Sequence, residues 1–170
     1  MATDRRAQDF VRDIEVYVSG LAPDAQPAPD VTPLIEQAYT LAQRHQPEGW
    51  LRWGSSGLPI TGESIAVQAE ATITVLRRIG WNPSDTACRS IRDAMILATR
   101  EDETGRLSED TRYVVRDILS DLIRAMTGAP YANYELWDMH PHRKVDEVYA
   151  LLGAAAAFAR TYGAAEAAAA

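Results

Sequence analysis

At 170 residues and 18.7 kDa the chain has the size of one ordinary domain, large enough to bury a core without disulfide or metal staples. Its single cysteine, Cys88, excludes an internal disulfide and any cysteine-based zinc cluster. With 17 Lys+Arg against 24 Asp+Glu, the net charge of -7 gives no general pull toward nucleic acid or an anionic membrane, and no apolar run nears the roughly 20 residues that cross a bilayer.

The apolar series Ala7, Phe10, Val11, Ile14, Tyr17, Val18 and Leu21 lies on one face of a predicted first helix, capped by Thr3 and stopped near Gly20 and Pro23. Residues 22–30 carry three prolines and read as a linker. A second helix opens near Asp30 or Thr32 with Pro33 in its first turn, buries Leu34, Ile35, Ala38 and Leu41 or Ala42, and fades near His45 and Pro47. Residues 46–62 hold four glycines and two prolines, which forbid a helix and leave a loop or a small hairpin pairing Trp50–Trp53 with Leu58–Ile60.

A third helix is predicted from Thr61 to Gly80, with Ile65, Ala69, Thr72, Ile73, Leu76 and Ile79 inward and Arg77 and Arg78 in its last turn, where the helix dipole favours cations. Asn82 followed by Pro83 reads as the start of a fourth, whose stripe is Ala87, Cys88, Ile91, Ala94, Met95 and Ala98 and whose end is near Arg100. On that stripe Cys88 is expected to be a buried small hydrophobe. After a turn around Gly105, Ser108 caps a fifth helix that buries Val114 or Val115, Ile118, Leu119, Leu122, Ile123 and Met126 and closes at Gly128 and Pro130. The last helix starts between His142 and Lys144 and buries Val145, Val148, Tyr149, Leu152 and Ala155 or Ala156, ahead of a fraying alanine tail over 164–170. The expected fold is therefore all-α, a single domain over 1–170 of about six helices in an orthogonal or bundle-like arrangement.

Chemistry-bearing motifs are sparse. Gly54-Ser55-Ser56-Gly57 lacks the five-residue frame of a nucleophile elbow, and Asp102 to Asp110 lacks the glycine of a calcium loop. His140 and His142 flank Pro141 and form the one candidate metal pair, with Asp138 or Glu135 as oxygen donors. The same histidines are the first candidates for acid/base work near neutrality. Trp50, Trp53 and Trp137 either cover the core or line a ligand groove. Asp138, ahead of the last helix and five positions before Arg143, reads either as a cap paired to that cation, with Trp137 sealing the joint, or as part of a binding site.

The segment Leu136 to Lys144, running into Val145–Val148, resembles the C-terminal part of a family of unknown function, DUF6197, found in actinobacteria and their phages. That family's pattern is a Trp-Asn-Asp segment, a Gly-Arg-Thr turn and a helix containing Glu-Glu-Val. Trp137, Arg143, Glu147 and Val148 match it, whereas Asp138, Met139, His142 and Lys144 stand where Asn, Asp, Gly and Thr are usual. A helix from Leu34 to Arg44, Gly49-Trp50, a Gly-rich loop and an Ala-containing helix extend the similarity in outline over 31–160. The resemblance implies this helical architecture and an actinobacterial or phage source, and brings no activity with it. Sixteen arginines to the lone Lys144, with abundant alanine, are the bias of a G+C-rich genome.

With no catalytic constellation and strong helical patterning, the leading expectation is a non-enzymatic cytoplasmic accessory domain that binds a protein partner and needs no cofactor. Its binding residues would be Trp50, Trp53, Trp137, Asp138 and Arg143. The alternative is a small-molecule-binding protein or metal-dependent hydrolytic enzyme with its site between the 46–62 loop and the 135–143 segment. A homo-oligomer packed through the Ala-rich last helix is a third reading.

Overall fold

The computed structural model describes residues 29–167. The chain divides into two units, Met1–Asp30 and Val31–Ala170, so the first predicted helix and almost all of the 22–30 linker lie outside the described residues. The second unit is all-α, with six helices and no strand among the described residues. These are α1 (Thr32–Gln43), α2 (Gly62–Ile79), α3 (Ile91–Glu101), α4 (Glu109–Thr127), α5 (Tyr134–Asp138) and α6 (Val145–Tyr162).

Local chemistry sets most helix ends. Thr61 Oγ1 accepts from Ser64 N at 3.1 Å while Thr61 N donates to Ser64 Oγ, a reciprocal box that starts α2. Ser108 and Thr111 do the same for α4, and Gly80 and Gly128 end α2 and α4 with φ of 78° and 72°. The central helix is α2, which packs against α6, α3 and α4, while α1 packs on α4 and α6. Ile65, Ala66, Ala69 and Leu76 of α2 are fully buried, as are Ile118, Leu119 and Leu122 of α4 and Leu152 and Phe158 of α6. Each such large side chain contributes about 1.5–3 kcal/mol by leaving water. The alanines of α6 serve internal packing: Ala154, Ala155, Ala156 and Ala159 are buried within the unit. At one end α2 and α6 meet backbone to backbone, for a Cβ on Gly62 would stand 2.3 Å from the Ala159 carbonyl oxygen. Gly62 N donates to Ala164 O at 2.8 Å, and Arg106 pairs with Glu166 at 3.0 Å, so the start of the tail expected to fray is tied down.

A polar knot sits inside this apolar core. Gln68 is fully buried, and its Oε1 accepts from Thr99 Oγ1 and Thr111 Oγ1, both at 3.1 Å, while its Nε2 donates to Met95 O at 3.3 Å. One α2 side chain thereby fixes the register of α3 and α4, with each of its polar atoms bonded.

Several expectations are corrected. The fourth predicted helix begins at Ile91 and not after Asn82, because Ser90 and Asp93 form the capping box. Asn82 instead turns the chain by accepting from Ser84 N and pairs with Arg89 across an isolated antiparallel bridge. Cys88 thus leaves the helical stripe; it is exposed, with a left-handed φ of 53°. Met126 is 45% exposed where α4 runs out past the core. The hairpin at 46–62 shrinks to one bridge, Trp53 with Pro59, backed by Ile60 N donating to Arg52 O at 2.9 Å. The 135–143 segment opens in the single-turn helix α5, which the expected elements do not include and which forms because Asn133 Oδ1 accepts from Glu135 N and Leu136 N.

Candidate functional site

Tight turns around Gly49, at φ 77°, alternate the faces of the segment after α1. Leu51 goes into the core and Trp50 stays half-buried against Phe158 of α6, ring centroids 6.1 Å apart. Beside it Tyr39 of α1 and Tyr162, the last residue of α6, stack face to face at 3.9 Å with 2° between their planes. Phe158, fully buried, touches all three rings and fixes them. The result is a groove of about 420 Å³ with Trp50, Tyr39 and Tyr162 as aromatic walls and Gln43, Gln46, Glu48 and Arg52 along its edges. Among the described residues none of these edge side chains makes a hydrogen bond within the protein, so their donors and acceptors face outward. Burial pushes the Tyr162 phenol above its ordinary pKa.

Trp53, the neighbouring candidate, is 57% exposed, and its indole lies over Gly49, leaving no room for a side chain there without adjustment. The following turn is held by Asp110 of α4, whose carboxylate accepts from Ser55 Oγ, Ser56 N and Ser56 Oγ. Those hydrogen bonds, led by the Ser56 hydroxyl, hold the Asp110 carboxyl below its usual range. Ser55 and Ser56 are therefore hydrogen-bond donors in a loop clamp. Gly54 is required there, since a Cβ would fall 2.2 Å from the Asp110 carboxyl carbon.

The 135–143 segment lies elsewhere. Asp138 is 1% exposed and accepts from Trp81 Nε1 at 2.7 Å and from Ile91 N, the first amide of α3, at 2.8 Å. It therefore caps α3 and not the last helix, where Glu147 accepts from Lys144 N instead. Burial raises the Asp138 pKa above the ordinary carboxylate value against those two hydrogen bonds. Arg143 stacks 3.6 Å above the Trp137 ring, donates to Trp137 O at 2.9 Å and reaches Glu147 at 3.2 Å, so Trp137 does seal a joint. His140 and His142 are exposed, and His142 N donates to His140 Nδ1, which occupies one imidazole lone pair. Glu135 pairs with Arg92 and Asp138 is committed to α3, so neither joins the imidazoles; no group of three metal-ligating side chains forms among the described residues.

The two halves of the site anticipated between the 46–62 loop and the 135–143 segment are not brought together. The first ends at the N-terminus of α2, the second docks on Trp81 just past its C-terminus, and an 18-residue helix spans about 27 Å. Of the five candidate binding residues only Trp50 lines the aromatic groove; Trp53 flanks that loop, and Trp137, Asp138 and Arg143 build the α3 and α6 joints.

Sequence reasoning missed a further buried cluster. Asp121, inside α4, lies 2.6 Å from His45 Nε2 and 3.2 Å from Arg124 Nη1, tying the end of α1 to α4. Neighbouring Asp117 is pushed above its usual pKa by burial. The pairing is invisible in sequence because His45 and Asp121 stand 76 positions apart.

Residues 61–158, more than half of the chain, match the model of a family of unknown function (DUF6197). No curated protein and no solved structure matches significantly.

Proposed function

The chain belongs to DUF6197, a family with no assigned activity, and from the geometry of its own residues we propose that it is a non-enzymatic accessory domain that binds a protein partner through the aromatic groove. The observation that carries this reading is the set of unengaged polar edges around rigid rings. Trp50, Tyr39 and Tyr162 offer apolar area at small entropic cost, since Phe158 already fixes them, and Gln43 and Gln46 offer amides that suit a partner's backbone. Such a site recognises an extended partner segment bearing an apolar or aromatic side chain. An exposed, unpaired Cys88 suits the reducing cytoplasm, where we place the domain, and the arginine and alanine bias supports an actinobacterial or phage source. A small-molecule ligand is the second reading, favoured by the groove volume of about 420 Å³, within the size range of small-ligand pockets.

The test uses a partner purified after capture from the host and titrated calorimetrically against wild-type protein and a Gln46→Ala/Arg52→Ala double variant. Both substitutions lie on the groove's edge and outside the core. The expected outcome is a loss of at least tenfold in affinity, about 1.4 kcal/mol, at an unchanged melting temperature. Equal binding by the variant would move the interface elsewhere, and steady turnover of a substrate by the purified protein would end the non-enzymatic reading.

A further inference from the structure

We propose that a second recess, between α3, α4 and α5, is an oxyanion site that binds the phosphate group of a small phosphate monoester through Arg92, Arg112, Arg116 and the Tyr134 hydroxyl. The recess measures about 240 Å³ and includes these four residues with Tyr113 and Glu135. It is independent of the aromatic groove and lies within the residues matched by the family.

The arginines are the first argument. In a chain of net charge -7, three guanidinium groups edge one small recess. Arg112 and Arg116 stand one turn apart on the same face of α4, an arrangement that costs like-charge repulsion. Some arginines elsewhere are closely paired: Arg78 donates through Nη2 to both oxygens of Glu101 at 2.8 and 2.6 Å, and Arg160 is clamped between Glu63 and Glu70. Around the recess each guanidinium is paired to one carboxylate and keeps at least one nitrogen without a partner. Arg92 meets Glu135 only through Nε at 3.3 Å, Arg112 reaches Glu109 only at 3.5 Å, and Arg116 brings Nε and Nη2 to its chain neighbour Asp117, both at 3.0 Å, which leaves Nη1. Arg112 and Arg116 are instead held over the Tyr113 ring, at 5.7 and 5.0 Å from its centre, a contact that positions a guanidinium without consuming its N–H donors.

Tyr134 is the second, independent argument. The residue as a whole is 6% exposed, but its hydroxyl opens onto the recess and makes no hydrogen bond among the described residues, so its donor is free for a ligand. Burial raises its pKa far above the ordinary phenol value, so it is a donor at any physiological pH. A free O–H donor and three partly unused guanidinium groups around one recess suit a multi-oxygen dianion. A carboxylate offers two oxygens and fills a single fork, whereas a phosphate monoester brings three terminal oxygens and a charge of about -1.5 to -2 near neutrality. The volume admits the phosphate and a small substituent, and falls below the roughly 300 Å³ at which pockets for drug-sized ligands begin. The net chain charge of -7 gives an extended nucleic-acid backbone no general attraction, so a small phosphate monoester is the source favoured.

The experiment is calorimetric titration of the whole chain with inorganic phosphate and with phenyl phosphate, against sodium chloride of matched ionic strength. Saturable binding of both phosphates is expected, absent with chloride, and weakened at least tenfold in Arg112→Gln/Arg116→Gln. Tyr134→Phe, which removes only the hydroxyl, should weaken phosphate binding several-fold with an unchanged melting temperature. Should the double variant melt early, Arg92→Gln carries the test, because that side chain is 60% exposed. Heats that chloride reproduces, or phosphate binding that survives Arg92→Gln and Tyr134→Phe undiminished, overturn the proposal.

Discussion

Replacing Asp138 with alanine separates what the fold does with this residue from what its sequence position implies. A cap on the last helix would be a local device; the structure makes it a long-range one. Its two oxygens receive the Trp81 indole N–H and the first amide of α3, 57 and 47 positions earlier in the chain. Removing the carboxylate strands both donors, each hydrogen bond to a charged acceptor being worth about 1.5–3 kcal/mol. The gross loss of about 3–6 kcal/mol is reduced because the variant no longer holds a charge in a buried site, the cost that raises the Asp138 pKa. A net destabilisation of about 2–4 kcal/mol remains, which for a domain of this size lowers the melting temperature by roughly 6–15 °C.

The assay is thermal and urea unfolding followed by circular dichroism, with two comparators. Trp81→Phe removes one donor and should cost less than Asp138→Ala, and the double variant should cost less than the sum of the two, since they share one hydrogen bond. Glu147→Ala removes the group that closes the N-terminus of α6 and should cause a much smaller loss, because that carboxylate is exposed. The sign of the pH effect follows from the raised pKa. The folded chain holds the Asp138 proton more tightly than the unfolded chain, so this residue's contribution is most favourable below the ordinary carboxylate pKa and declines as pH rises through the raised value. An Asp138→Ala protein that melts within about 2 °C of the parent would refute the α3 anchor, as would a loss no larger than that of Glu147→Ala.

Three further outcomes follow from the same geometry. Gly62→Ala should cost at least about 2–3 kcal/mol in a urea titration, because its Cβ would stand 2.3 Å from the Ala159 carbonyl oxygen and only backbone movement relieves the clash. Cys88 should react with a thiol reagent in the folded protein at a rate insensitive to added denaturant, and Cys88→Gly should raise stability by a few tenths to about 1 kcal/mol by relieving its left-handed backbone; a thiol that reacts only after unfolding refutes both. Asp110 shows the opposite linkage to Asp138: its pKa is lowered, so its contribution is present above the unfolded value near 3.9 and disappears as pH falls through the folded one. Asp110→Asn should flatten the acid limb of the stability curve, and an unchanged limb would refute the loop clamp.

The helices were legible in the sequence wherever their ends are set within three or four residues. Thr61 with Ser64, Ser108 with Thr111, and the glycines at 80 and 128 act locally, and the buried stripes of α2 and α4 follow the expected spacing. The fourth helix shows where this stops. Asn82 and Ser90 are both cap residues, and Ala87 and Cys88 extend the apolar spacing upstream. Local and distant partners make the choice together: Ser90 and Asp93 close a capping box, Asn82 pairs with Arg89, whose guanidinium donates to Ile79 O at the end of α2, and Asp138 takes the first amide of the helix that starts after Ser90. A pattern read along the chain offers both caps and does not contain Asp138, 47 positions away. The candidate site divides the same way. Trp50 was visible as a large side chain in an irregular loop, whereas Tyr39 and Tyr162 became its neighbours only through the packing of α1 on the end of α6.

Hydrogen-bond satisfaction separates the polar groups that hold the fold from those available to a ligand. Gln68, Asp138 and Asp110 sit in low-polarity surroundings with both carboxamide or carboxylate ends engaged, and each joins elements far apart in sequence. Leaving any of them unpaired would cost about 1–3 kcal/mol per group, so the fold has reason to close them. Among the described residues two buried side-chain atoms lack partners, Asp121 Oδ2 and Arg124 Nε, and both belong to the ion-paired cluster with His45 that fastens α1 to α4. Unengaged donors line both recesses: the amides and Arg52 around the aromatic groove, and the guanidinium groups with the Tyr134 hydroxyl between α3, α4 and α5. Carboxylate pairs and the Tyr113 ring hold three like-charged arginines at the second recess, beside a hydroxyl with no partner among the described residues. A phosphate group entering that space would supply acceptors those donors lack, a role distinct from the one proposed for the aromatic groove.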